Sequence, residues 1–235
     1  MKYGKLYLIP NFLSNEANTD FLPEMVKRMS HHIKNFVVES EKEARALIKK
    51  LQLATHQNEL QIFILNEHTE TKSYHQLLKA LENEQDAGII SDAGLPCVAD
   101  PGYQLVALAH QKNIDIIPLP GSSSIFMALM ASGFSGQNFA FTGYIPIDKA
   151  LRVKRIKELE REAIGKMQAQ IFMETPYRNN QLLEELIKNG FPNTLLCIAC
   201  NVSSPNEFIK TKTLKEWASA KPDLHKKPAI FIFGV

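Results

Sequence analysis

Short apolar runs and longer amphipathic stretches alternate along this chain from one end to the other. Lys5–Ile9, Phe36–Glu39, Ile62–Leu65, Ala87–Ser91 and Ile114–Ile117 each read as a short strand. Amphipathic stretches separate them. Asp20 is placed to cap a helix running through Pro23 to His31. Ser40-x-x-Glu43 spells a capping box, and Ala44, Leu47, Ile48 and Leu51 fall on one face behind it. A helix is expected over Ser73–Asn83 with Leu77, Leu78 and Leu81 inward, and Pro101-Gly102 opens another through Leu105, Val106 and Ala109. Strands that are apolar throughout, alternating with such helices, predict a parallel sheet covered on both faces.

The second half alternates too. Helices are expected from Ser123 to Ser132, Lys149 to Ile164 and Pro176 to Lys188, the last with Gly190 at its end. Strands are expected at Phe139–Thr142, Ala169–Met173, on either side of Ser203-Ser204-Pro205, and at Ala229–Phe233. Thr213-x-x-Glu216 caps a short helix. Pro118-Leu119-Pro120-Gly121 punctuates the chain between the halves. This divides it into an open parallel α/β domain over 1–118 and a second α/β domain over 119–235.

Composition narrows the classes without choosing among them. The net charge of +2 and a 45% hydrophobic content exclude a disordered or supercharged chain. No apolar run approaches the ~20 residues of a membrane helix, and the apolar run near Met1 is too short for a signal peptide, so a cytoplasmic protein without membrane contact is expected. Cys197-Ile198-Ala199-Cys200 spells C-x-x-C, but it lies in an expected strand, where residues three apart point to opposite faces. Two buried structural thiols fit better than a redox pair. The histidines (His31, His32, His56, His68, His75, His110 and His225) are scattered, none convincingly paired with a cysteine or carboxylate cluster, and no metal site is expected.

The chemistry-bearing residues collect at strand-to-helix turns. G-x-G-x-x-G, the P-loop, G-x-S-x-G and H-E-x-x-H are absent. Ser91-Asp92-Ala93-Gly94-Leu95-Pro96 follows the fourth strand, and Asp100-Pro101-Gly102 follows it closely. Ligands of open α/β sheets bind beyond the carboxyl ends of the strands. Gly94 permits close backbone approach there, while Asp92 and Asp100 either hold a polar ligand or serve as caps. Pro118-Leu119-Pro120-Gly121-Ser122-Ser123-Ser124 runs into a helix start, where N–H groups and hydroxyls suit a carboxylate or hydroxyl.

Together with Phe139-x-Phe141-x-Gly143-Tyr144-Ile145-Pro146 and Glu174-Thr175-Pro176-Tyr177-Arg178, these motifs resemble the tetrapyrrole methylase family. The likeness is greatest to its ribosomal RNA small subunit methyltransferase I branch, of which this chain looks like a shorter member. The resemblance spans nearly the whole chain. It implies two α/β domains with an S-adenosylmethionine (SAM) cleft between them, and a homodimer. Two segments depart from the branch. Ile9-Pro10-Asn11-Phe12-Leu13-Ser14-Asn15 replaces Thr-Pro-Ile-Gly-Asn, and Val38-Glu39-Ser40-Glu41-Lys42-Glu43-Ala44-Arg45 stands where Glu-Asp-Thr-Arg is usual after strand two.

Carried over by residue, the resemblance implies a SAM pocket at Pro10, Asp92, Ala93, Gly94, Leu95, Val98, Ser123 and Ser124. It continues at Met173, Asn201, Val202, Pro228 and Ala229. The sulfonium is already activated, so the protein needs to position the acceptor and accept a proton. Asp92, Glu39 and Glu174 are the candidates for that base. Lys149, Arg152, Lys154, Arg155 and Lys157 form a basic stripe expected either to contact RNA phosphate or to pair with the glutamates that follow. The expected activity is SAM-dependent methylation of RNA, at a ribosomal RNA ribose 2′-hydroxyl. The alternatives are a tetrapyrrole or other small-molecule methylase, and a non-catalytic SAM-binding module. The tetrapyrrole version is disfavoured because S-D-A-G-L-P stands where Gly-Asp-Pro is typical.

Overall fold

The computed structural model describes residues 3–235 except 15, 17–21, 53–56, 67–68, 70–73, 75–77 and 80. The chain divides into two units, Met1–Ser123 and Ser124–Val235, each built on its own sheet.

In the first unit, β1 (Leu6–Ile9), β2 (Asn35–Val38), β3 (Gln61–Ile64), β4 (Ala87–Ile90) and β5 (Ile116–Pro118) form one parallel sheet. The order is β3-β2-β4-β1-β5. Alternate residues feed two cores. Tyr7, Ile9, Phe36, Val38 and Ile90 meet Val26 of α1 (Glu24–Ser30) and Ala44, Leu47, Ile48 and Leu51 of α2 (Glu41–Leu51) on one face. Leu6, Val37, Ala87 and Ile89 meet Leu78, Leu81 and, on α3 (Gly102–Gln111), Leu105 and Ala109 on the other. Burial on both faces is why these strands show no polar alternation. The Ser40 hydroxyl accepts from the Glu43 N–H, as its spacing predicts. Asp20 and Leu77 lie outside the described residues, as do residues 73, 75, 76 and 80 of the helix expected over Ser73–Asn83.

The chain leaves β2 outward to β3, and leaves the adjacent β4 in the other direction, past β1 to β5. Neighbouring strands whose connections depart in opposite directions open a crevice at their carboxyl ends. Glu39 follows β2 there, and Ser91 follows β4.

The second unit holds α4 (Ser124–Ser132), β6 (Phe139–Tyr144), α5 (Lys149–Gly165), β7 (Ala169–Met173), α6 (Asn179–Asn189), β8 (Leu195–Cys200), β9 (Phe208–Thr213), α7 (Leu214–Ser219) and β10 (Ala229–Gly234). The sheet order is β6-β7-β10-β8-β9. Only β6 and β7 run parallel; the other pairings are antiparallel. Phe172 stacks on Phe231 at 5.9 Å and meets Phe233 at 5.3 Å. Leu159, Leu182, Leu186 and Trp217 close the core around them, each large apolar side chain stabilising by roughly 1.5–3 kcal/mol. Thr213 and Glu216 complete both halves of the capping box at α7.

Cys197 and Cys200 are free and buried, and burial raises both thiol pKa values. Cys200 faces the helix-lined core and Cys197 does not, as a strand's period of two requires. Gly190 ends α6 for a reason the sequence does not show. Its φ of −87° is not left-handed. A Cβ there would crowd Leu214 Cδ1 and come within 3.0 Å of the Leu186 carbonyl oxygen, so close packing favours glycine.

Candidate functional site

The carboxyl edge of the parallel sheet gathers the first group of expected residues. Asn11 replaces flexible backbone with a side-chain tie between two turns. Its Nδ2 donates to the Ser91 carbonyl at 3.0 Å and the Asp92 carbonyl at 3.1 Å, and its N–H donates to the Gly94 carbonyl at 2.8 Å. The sequence showed only a missing glycine at this turn. An asparagine directly after a strand-ending proline was the available signal for a turn clamp. Pro10 packs against Gly121, where a Cβ would meet Pro10 Cβ at 2.2 Å. The β1 turn therefore touches both motif loops of this unit.

The Ser91–Asp100 turn is strained. Gly94, Cys97 and Ala99 all have left-handed φ, of 68°, 67° and 58°. Non-glycine residues in that region cost energy and cluster at ligand sites. Gly94 is buried, and a Cβ there would lie 3.0 Å from Leu13 Cδ2, so a side chain strains the fold as well as filling ligand space. Asp92 and Ala93 are exposed, Leu95 is half-buried and Val98 is 44% exposed. Asp100 Oδ1 accepts from the Gly102 N–H at 2.6 Å, an Asx turn that leads into α3, whose N-cap is Pro101.

Three carboxyls meet beneath this turn. Glu39 Oε1 accepts from the Asp92 N–H at 3.3 Å, and Asp100 lies within hydrogen-bonding reach of the Glu39 carboxyl. Burial first, then Asp100, pushes the Glu39 pKa up to about 7. Desolvation, then Glu43, raises that of Asp92. Burial and Asp100 push the Cys97 thiol up to about 12, which leaves it unreactive.

In the second unit, antiparallel pairing brings distant residues to one end of the sheet. Met173 pairs with Ile230, Ala229 pairs with Cys200, and the Asn201 N–H donates to the Pro228 carbonyl at 2.9 Å. Met173, Asn201, Val202, Pro228 and Ala229 are thus neighbours, with Asn201 left-handed at φ 52°. Ser203 Oγ reaches Met127 Sδ on α4 at 3.6 Å, which brings the helix that opens at Ser124 beside this turn. Ser123 closes the first unit.

One expectation is corrected here. Arg152 does not belong to an exposed basic stripe. It is 5% exposed, its Nε and Nη2 bind both Glu185 oxygens at 2.9 and 2.7 Å, and Nη1 donates to the Ile147 carbonyl at 2.6 Å. Lys149, Lys154 and Lys157 are exposed, Lys154 lying 3.9 Å from Glu158, while Arg155 reaches Glu158 and Glu162. His32 pairs with a single carboxylate, Asp86 at 2.6 Å, beyond β1's other end. Glu174 is buried and engaged: its Oε1 accepts from the Thr175 N–H at 2.6 Å and from Arg178. Among the described residues, no group of three or more His, Cys, Asp or Glu could hold a metal ion, and no helix is long and apolar enough to cross a membrane.

The sequence model of the family described as Tetrapyrrole (Corrin/Porphyrin) Methylases matches residues 25–218. The chain belongs to the tetrapyrrole methylase family. It is similar to ribosomal RNA small subunit methyltransferase I of Buchnera aphidicola subsp. Schizaphis graminum, 30% identical over 98% of this chain and 78% of that protein. The protein of the same name from Pasteurella multocida is 29% identical over 72% of this chain and 60% of its own length. Among solved structures, the methyltransferase CobJ has a TM-score of 0.67 at 18% identity, covering 98% of this chain and 94% of that one. Uroporphyrin-III C-methyl transferase from Thermus thermophilus, complexed with S-adenyl homocysteine, has a TM-score of 0.61 at 17% identity, covering 98% and 97%. These structural likenesses establish the methylase fold. The strained Ser91–Asp100 turn of this methylase-family chain sits at the carboxyl edge of its parallel sheet.

Proposed function

We propose that this protein is a SAM-dependent methyltransferase whose acceptor is ribosomal RNA, at a ribose 2′-hydroxyl. The observation that carries the reading is the relationship, over 98% of the chain, to a protein named ribosomal RNA small subunit methyltransferase I. The geometry supports the cofactor half. Close backbone at Gly94, half-buried Leu95, exposed Val98, and Pro10 beside Gly121 offer apolar walls and backbone edges of the kind adenine and a methionine moiety need. Ser123, Asp92 and Ala93 are the other proposed contacts of the first unit. Ser124, Met173, Asn201, Val202, Pro228 and Ala229 are those of the second.

SAM, when bound, supplies an activated methyl group. The residues of this chain then have to orient a hydroxyl and accept its proton. Asp92 is the best placed of the three carboxyls, being exposed on the turn with a raised pKa. Glu174 is held by Arg178 and Thr175, and Glu39 by the Asp92 N–H. Lys149, Lys154 and Lys157 remain as phosphate contacts, which position RNA without reading its sequence. A cytoplasmic homodimer completes the proposal, motivated by exposed Phe126 and Met130 on α4; light scattering at 26.5 kDa would reject the dimer.

The test is calorimetry with SAM and its demethylated product, then methyl transfer from labelled SAM to undermethylated small ribosomal subunits. Transfer to the subunit, lost in Asp92→Asn, is expected. Tight SAM binding without transfer to any ribosomal particle would favour a small-molecule methylase. Absence of SAM binding would reject the enzyme reading altogether.

A further inference from the structure

Asp100 Oδ2 is buried and has no hydrogen-bond partner. Its other oxygen is committed to the Gly102 N–H. A buried carboxylate oxygen without a donor loses its hydration and regains nothing. Water cannot repair this. The void beside it, lined by Val37, Val38, Glu39, Leu65, Ile89 and Ile90, has no room for a water molecule. The polar side chain at hand is Glu39, itself an acceptor when ionised.

We infer that Glu39 and Asp100 share one proton, and that this carboxyl–carboxylate hydrogen bond holds the Ser91–Leu95 turn against the end of β2. Glu39 is then a positioning residue, acting through the hydrogen bond that its Oε1 accepts from the Asp92 N–H. Two like charges this close cannot both stay ionised, so one carboxyl keeps its proton well above the usual range. The charged groups acting on Glu39 are Asp100 and Asp92, both acidic. Glu43 faces Asp92 in turn, and the neutral Cys97 thiol faces Asp100.

The pH dependence has a definite sign. The Glu39 pKa is raised in the folded chain, to about 7. Its contribution to stability is therefore fully present below the ordinary carboxyl pKa and is lost as pH rises through about 7. Loss of the proton above neutrality loosens the turn. The proton does not depend on the methyltransferase reading, but its effect on SAM binding does.

The experiment compares wild type with Glu39→Gln and Asp100→Asn in thermal melts from pH 5 to pH 8.5. An amide on either side keeps one acceptor and supplies a permanent donor. The two variants are expected to melt with wild type at pH 5 and above it at pH 8.5. Carbon NMR should show a glutamate carboxyl titrating near neutrality that disappears in Glu39→Gln. In parallel, the SAM dissociation constant of wild type is expected to rise severalfold across neutrality, while that of Glu39→Gln stays level. A Glu39→Gln deficit that is the same at both ends of the pH range would overturn the shared proton, as would a wild-type spectrum lacking that titration. If the stability gap opens with pH but no protein binds SAM, the shared proton stands and the cofactor reading falls.

Discussion

Both units hold carboxylates around a five-stranded sheet, yet they manage the charge in opposite ways. In the second unit half-buried Glu185 holds Arg152, buried Glu174 holds Arg178, and buried Glu160 accepts from the Phe191 N–H and the Thr194 hydroxyl. In the first, Glu39, Asp92 and Asp100 crowd together without a cation acting on Glu39. The paired carboxylates fix architecture, and Arg152 holds the Glu185 pKa down. Burial and the neighbouring acids push the Glu39 pKa up to about 7, where proton transfer is useful. Residue type alone made Glu39 and Glu174 equal candidates; their surroundings make them different.

The strongest way to break this contrast is to remove a cation from the paired set. Arg152→Ala takes the bidentate partner from half-buried Glu185, which keeps Gln181 and Lys149, and is expected to cost about 3 kcal/mol in urea unfolding. If the cost is near zero, the pair is not structural and Arg152 returns to the RNA surface. Glu174→Gln weakens charge-assisted bonds to Arg178 and Thr175 and should cost about 1.5–3 kcal/mol. Its SAM dissociation constant should move less than that of Asp92→Asn, and the reverse order would exchange their roles.

On the crowded side, Gly94→Ala places a Cβ at φ 68° and 3.0 Å from Leu13. A stability loss of about 1–2 kcal/mol is expected from the left-handed backbone alone, together with weaker SAM binding in calorimetry. Unchanged binding would move the cofactor elsewhere. The smallest effect sharpens the comparison at the surface. Lys154→Ala with Lys157→Ala should change stability by less than about 0.5 kcal/mol. The pair should also flatten the salt dependence of RNA binding by about two phosphate contacts. An unchanged salt slope would remove these lysines from the RNA surface.

Much of the architecture was legible because local signals agreed. Ala169–Met173 is a strand between the bounds its apolar run gives, and Ser40 and Thr213 cap the helices their spacing announces. The turn at Ser91 could be read as a ligand loop from Gly94 and its place after an apolar strand. What could not be read was partnership across long sequence gaps. Arg152 looks like its basic neighbours until α6 brings Glu185 against it, 33 residues on. Asp100 meets Glu39 only because β2 and β4 are adjacent, an order set by the whole sheet. Neither contact leaves a periodic trace.

The position of β10 carries a consequence for how the chain is made. It lies between β7 and β8 and supplies Phe231 and Phe233 to the core, although every other strand of that sheet precedes it in the chain. Until residues 229–234 leave the ribosome, β7 and β8 each lack their central neighbour and expose apolar edges. The parallel sheet needs nothing beyond residue 118 for its strands. Synthesis therefore imposes an order of assembly in which the first sheet can close early, while the second waits for its last strand. A nascent chain stalled anywhere between Thr213 and Ala229 would present an unpaired, aggregation-prone sheet edge to chaperones.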